Sequence, residues 1–215
     1  MKTLATLSLL LVTLSASASA PVFQNPLTPP QLTQLIAPAA QALASAPVLR
    51  GSFTQRKFLK DIPKPLKSSG NFVIAREQGI YWHTLLPFDS EFILTPTTMA
   101  QLDGGKLAMR MDAAQQPALR LVGDVFFSIF ALDASALAEN FRLFGLHVGK
   151  NGWQLGLQPR TPTLAAVLTA AVISGATRVE KVEMWDAHGD RTEITLSGDA
   201  DSAALTPAEA ELFHK

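Results

Sequence analysis

The sequence predicts an α+β domain built on one large, strongly curved antiparallel sheet. Three observations carry that reading. About ten short segments alternate apolar and polar residues at the period of a strand. Turns rich in Gly, Asn, Asp and Pro separate them at hairpin lengths. Helical spacing of apolar residues is confined to a stretch near the start, a phenylalanine-rich stretch near residue 126, and short pieces elsewhere. Hairpins in such succession favour a curved or partly closed sheet, whose concave apolar face is where the helices can pack.

The elements follow in order. Lys2, the apolar run Leu4–Leu14 and the small residues Ser15–Ala20 read as a secretory signal peptide over residues 1–18, with residue 20 as the alternative cleavage point. The rest, 19–215, reads as a single domain without linker or repeat. Residues 21–30 form a Pro-rich arm. Thr28 can cap a helix that carries Leu32, Leu35, Ile36, Ala39 and Leu43 on one face. Pro38 is expected to kink that helix or end it early. Strands are expected at Val48–Leu59, Asn71–Arg76, Ile80–Leu85 and Glu91–Thr95, with a loop at Asp61–Pro65. Met99–Leu102 and Lys106–Met111 flank Asp103-Gly104-Gly105, a hairpin signal.

After Pro117, Leu119, Val122, Phe126, Ile129 and Phe130 recur at helical spacing, with Phe127 adjoining. Asp133 stands at a capping position for a short second helix. Phe141–Val148 and Trp153–Gln158 are strands. Leu164–Ala171 fits helix or strand equally. Arg178–Trp185 and Arg191–Leu196 form a last hairpin, and Thr206-Pro207 opens a C-terminal helix.

The composition excludes several kinds of chemistry. There is no Cys, hence no disulfide, thiolate metal site or lipid-anchoring cysteine. His83, His147, His188 and His214 are not spaced as metal ligands, and no nucleophile elbow, P-loop or dinucleotide fingerprint occurs. Asp186 and Asp190 are read as turn residues rather than calcium ligands. The formal net charge is zero, with 18 cationic and 18 acidic side chains, so nothing suggests nucleic acid or an anionic membrane surface. No enzyme activity and no cofactor are expected.

Two segments support a family resemblance. Gly51-Ser-Phe-Thr-Gln-Arg-Lys57 resembles the "SFTQ" strand of the LolA family of periplasmic lipoprotein carriers. Gly70-Asn-Phe-Val-Ile-Ala-Arg76, then Ile80-Tyr-Trp-His83, Pro87 and Ile93-Leu94, resemble the segments that follow it in that family. Ile80 and Val73 stand where the family often has aromatics. The resemblance implies a half-open antiparallel β-barrel of about ten or eleven strands, its concave apolar face covered by helices. It implies a periplasmic monomer that shelters the acyl chains of lipoproteins and shuttles them from an inner-membrane donor transporter to an outer-membrane acceptor. Carriage of another lipid, or a regulatory protein that senses lipoproteins, are the alternatives. The residues expected to line the groove are Phe53, Phe72, Ile74, Ile80, Trp82, Phe92, Leu94 and Met109, with Phe126 and Phe130 facing it from a helix. Met99, Met111 and Phe127 extend the same surface. Arg76 is expected to bond carbonyls of a lid helix and hold the empty form closed. Each apolar residue taken alone also fits an ordinary core.

Overall fold

A computed structural model describes residues 20–46, 48–76, 78–112, 123, 125, 127–198, 200–201 and 204–214. The strands are β1 Val48–Phe58, β2 Leu66–Ala75, β3 Gly79–Leu86, β4 Ser90–Leu94, β5 Thr98–Asp103, β6 Lys106–Asp112, β7 Phe141–Val148, β8 Gly152–Pro159, β9 Leu168–Gly175, β10 Val179–Asp186, β11 Arg191–Ser197 and β12 Ala200–Asp201. They form one antiparallel sheet in the order β6-β5-β4-β3-β2-β1-β11-β10-β9-β8-β7, with β12 paired to β1. Among the described residues β6 and β7 do not pair, so the barrel is half-open. Register shifts at Ser69/Gly70, Gln101/Leu102, Val179/Lys181 and Trp185/Asp186 add local twist, which bends the sheet around its apolar face.

The described helices are α1 Pro29–Ala44, α2 (of which 123, 125 and 127–131 are described), α3 Ala134–Asn140, α4 Pro162–Ala165 and α5 Pro207–Leu212. α1 is the long one. At its start, Gln31 Oε1 accepts from the backbone N–H of Thr28 at 2.8 Å. Leu32, Leu35, Ile36 and Ala39 bury its apolar face. Burial of that face is worth several kcal/mol. This explains why α1 does not stop at Pro38, contrary to one sequence expectation. Pro38 is exposed, on the solvent side of a helix held by its other face. There the Gln34 carbonyl that it leaves unbonded can be met by water. Gly145 of β7 brings the helix close: a Cβ there would lie 2.5 Å from Leu35 Cδ2 and 2.6 Å from Leu27 Cδ1.

Two differences from the sequence reading are informative. β2 begins at Leu66, five residues early, because Lys57↔Leu66 through Thr54↔Ser69 pair although all of these side chains but Leu66 are polar. Arg76 lies in the turn after β2 rather than in the strand. The ambiguous segment after Thr161 divides into α4 and then β9, since the side chain of Thr161 caps only one helical turn. Asp133 caps α3 as expected, accepting from Ser135 and Ala136 N–H. Asp186 Oδ1 accepts from His188 and Asp190 N–H, which is the turn chemistry expected of that pair.

The two faces of the sheet carry different cores. The concave face holds the main cluster, from Phe53, Phe72 and Ile80 through Leu155 and Ile173 to α1 and α2. The convex face holds a smaller one, where Phe213 after α5 packs on Val48, Tyr81, Ile93 and Ala100. Tyr81 Oη donates to Glu91 Oε2 at 2.8 Å there, and burial together with that carboxylate raises the phenol's pKa.

α5 is fixed to the sheet by charge. Arg50 Nε donates to Glu209 Oε1 at 2.6 Å, and Arg50 Nη2 donates to Oε2 at 2.8 Å. Glu209 also accepts from Thr206 N–H at 2.8 Å in a capping box. The Arg50 bonds, then the Thr206 N–H, hold the Glu209 pKa down to about 2, from 4.5. A depressed carboxylate stabilises the fold above its unfolded pKa, and that contribution fades as pH falls through the folded one. Glu209→Gln is therefore expected to cost about 1–3 kcal/mol at neutral pH. Urea melts of the protein and the variant should converge between pH 4.5 and about 2. A gap that persists unchanged at pH 2 would contradict this assignment.

Candidate functional site

The concave face carries two rows of side chains set by strand register. One runs Phe72, Trp82, Phe92, Gln101, Met109 across β2 to β6. The other runs Leu49, Ile74, Ile80, Leu94, Met99, Met111 across β1 to β6. The first row meets β1 at Gly51, opposite Phe72; Phe53 lies in the neighbouring row, opposite Gly70, and its ring stacks on Trp82 at 3.9 Å. Phe72 stacks on the same indole at 5.8 Å. These aromatics close on one another in this state rather than lining open space.

Open space lies under the helices. A first cavity of about 150 Å³ is bounded by Leu43 of α1, Ala46 just after it, Leu49 and Ile74 on the sheet, and Phe127 and Phe130 on α2. Among the described residues of its lining, Arg76 is the one that carries a charge. Its Nη2 donates to the backbone carbonyl of Leu43 at 3.1 Å. Leu43 belongs to the last turn of α1, where carbonyls lack the usual partner four residues on and the helix dipole favours a cation; its carbonyl also accepts from Ala46 N–H at 3.2 Å. α1 has no basic residue in that turn, so Arg76 supplies the cation from the sheet. Because Arg76 is exposed, the bond is worth about 1 kcal/mol.

A second cavity of about 290 Å³ lies over the other half of the sheet. α2 supplies Val125, Ile129 and Phe130; β10 and β11 supply Val182, Met184 and Ile194. Asp186 and Asp190 stand at its polar edge. Phe130 borders both cavities, so its ring is the wall between them.

The residues nominated from the sequence divide as follows. Phe53, Phe72, Ile74, Ile80, Leu94 and Phe130 are buried in the concave cluster, and Trp82, Phe92, Met99 and Phe127 pack against it half-buried. Ile74, Arg76, Phe127 and Phe130 border the first cavity. Met109 and Met111 are half-buried on β6. Phe126 lies outside the described residues. Apart from Phe130, the second cavity's lining is not among the residues expected from the sequence, although Val182/Met184 and Ile194/Leu196 alternate as clearly as β2 and β3. No group of His, Asp and Glu able to hold a metal occurs among the described residues.

A curved open sheet, an apolar concave face, helices over it and cavities lined mainly by apolar side chains define a container for apolar matter. The sequence matches the family model "Outer membrane lipoprotein carrier protein LolA" over residues 44–213, and the chain belongs to that family. Its members are periplasmic carriers that bind lipids or lipoprotein acyl chains, and the fold of this chain is that of such a lipid- or lipoprotein-binding carrier. A search among curated proteins finds no match. Among solved structures it is similar to a LolA superfamily protein from Nitrosomonas europaea, with 7% identity, 79% of this chain and 94% of that one covered, and TM-score 0.42. It is similar to an outer membrane lipoprotein-sorting protein domain from Vibrio parahaemolyticus, with 14% identity, 85% and 99% covered, and TM-score 0.41. LprF from Mycobacterium bovis shares 13% identity, with 85% and 97% covered, and TM-score 0.35. No described helix is long and apolar enough to cross a membrane.

Phe130→Ala should join the two cavities. It is expected to lower stability by about 3–5 kcal/mol, from lost burial plus the void. It should also raise uptake of a fluorescent fatty acid if the joined space is cargo space. Chemical denaturation and a binding titration read the two effects separately.

Proposed function

We propose that the protein is a periplasmic carrier that takes the acyl chains of lipoproteins onto its concave face and moves them from an inner-membrane donor transporter to an outer-membrane acceptor. Residues 1–18 direct export, and 19–215 are the carrier, which acts as a monomer. One observation carries the reading: the Arg76–Leu43 hydrogen bond at the edge of an apolar cavity.

The physical argument is about release as much as binding. Sheltering an acyl chain from water is worth about 0.8 kcal/mol per methylene, so a long chain gains on the order of 10 kcal/mol. A rigid apolar pocket would keep such cargo. A closed empty state with bonds of its own offsets part of that gain. In this reading cargo enters beneath α1 and α2, lifts α1, and breaks the Arg76 bond. Arginine suits the task because it keeps its charge at every relevant pH and presents five donors. Phe53, Phe72, Ile74, Ile80, Trp82, Phe92 and Leu94 then become the floor under the acyl chains, with Phe130 on the lid and Met109 as adaptable surface at the open edge.

Two experiments test this. Mass spectrometry of lipid extracted from the protein purified from its host should show acylated peptide. Another lipid would redirect the cargo assignment, and no lipid together with no competition for a lipidated peptide would contradict carriage. Arg76→Leu should bind a lipidated peptide and retain it about fivefold more tightly, because the empty state loses about 1 kcal/mol. Hand-off to acceptor membranes should slow correspondingly. Unchanged hand-off would remove Arg76 from the mechanism.

A further inference from the structure

The net charge of zero conceals a local imbalance. Residues 56–67 hold Arg56, Lys57, Lys60, Lys64 and Lys67, five of the chain's 18 cationic side chains, against the single carboxylate of Asp61. This segment is the end of β1, the β1–β2 loop and the start of β2. Arg56 and Lys57 are partly engaged, by Glu193 at 3.5 Å and Asp190 at 3.8 Å. Lys60, Lys64 and Lys67 are exposed and make no ion pair among the described residues.

The same end of the sheet exposes large apolar side chains. Ile62 and Leu66 lie within the basic segment, and Leu85, Leu86 and Phe88 lie at the end of β3 and in the following loop. Phe88 is 80% exposed and Leu86 63%. The two segments adjoin: Leu86 pairs with Ser69, and Leu86 and Pro87 share a surface groove with Arg56 and Lys67. The carboxylate beside Phe88, Asp89, is engaged by His83 Nε2 at 2.6 Å.

We infer that this end of the sheet docks on a bilayer surface containing anionic phospholipid. Phe88, Leu86, Ile62 and Leu66 enter the interfacial region, while Lys60, Lys64 and Lys67 meet the phosphates. Exposed aromatic and aliphatic tips ringed by flexible cations are what an interface with apolar depth and negative headgroups selects. An acidic protein surface would use the cations but leave four large apolar side chains without a role.

The docking face also adjoins a cavity mouth. Lys60 N–H donates to Asp190 Oδ1 at 3.1 Å, and Asp190 borders the second cavity, as does Val167, itself 55% exposed. Arg76 is at the opposite end of β2. Docking therefore brings the second cavity to the bilayer and leaves the Arg76 end facing water. The docking stands on its own residues, and its use in cargo exchange rests on the carrier reading.

Vesicle co-sedimentation at low salt tests the docking. The protein should bind mixed phosphatidylcholine–phosphatidylglycerol vesicles, bind pure phosphatidylcholine far less, and dissociate as salt rises. Replacing Lys60, Lys64 and Lys67 by Gln should weaken binding about fivefold per lysine. Phe88→Ser should weaken it about tenfold or more, with melting and fatty-acid uptake unchanged. Absence of binding to the mixed vesicles, equal binding to neutral ones, variants that bind like the parent, or binding only to acidic proteins would each overturn the proposal. None of those results would touch the cargo test, which reads extracted lipid.

Discussion

One constraint organises the molecule: a sheet of twelve strands that bends but does not close must bury its concave face against something else. Joined edges would have left a core packed by strands alone. With β6 and β7 apart, α1 and α2 supply the missing cover. The cover is incomplete by construction, since a few helical turns cannot fill a space shaped by strands. The residue of that mismatch is two apolar cavities with Phe130 between them. The energy that holds the fold and the energy available for apolar cargo therefore come from the same surface.

That shared surface explains why a weak polar bond matters. Helices held mainly by non-directional apolar contact can exchange those contacts for acyl chains at little net cost. The Arg76–Leu43 bond is directional and ties the end of α1 to the turn after β2. In the proposed carrier reading it biases an otherwise nearly balanced exchange, and a bias of about 1 kcal/mol is enough to shift it severalfold. By contrast, the convex face is fixed by Tyr81–Glu91 and by the Arg50–Glu209 pair on α5, bonds that no movement of α1 would disturb.

The sequence made much of this legible. Strand alternation placed Phe72, Ile74, Ile80 and Trp82 on one face, and the register agrees. Turn chemistry at Asp103–Gly105 and capping at Asp133 and Thr206 were readable because they are local. What was hidden was non-local. β2's polar start forms a strand because β1 pairs with it, not because of its own pattern. Pro38 is tolerated because the opposite side of α1 is buried. The second cavity depends on where α2 and α4 settle over β10 and β11. The basic and apolar residues at the end of the sheet were averaged away in a net charge of zero, and only the hairpin geometry gathers them.

Hydrogen–deuterium exchange of α1 with and without a saturating lipidated peptide tests the central claim most directly. Carriage with a latched lid predicts faster exchange across residues 29–44 when cargo is bound, with β1 to β3 unchanged. Cargo binding that leaves α1 equally protected, or protects it further, would contradict the account.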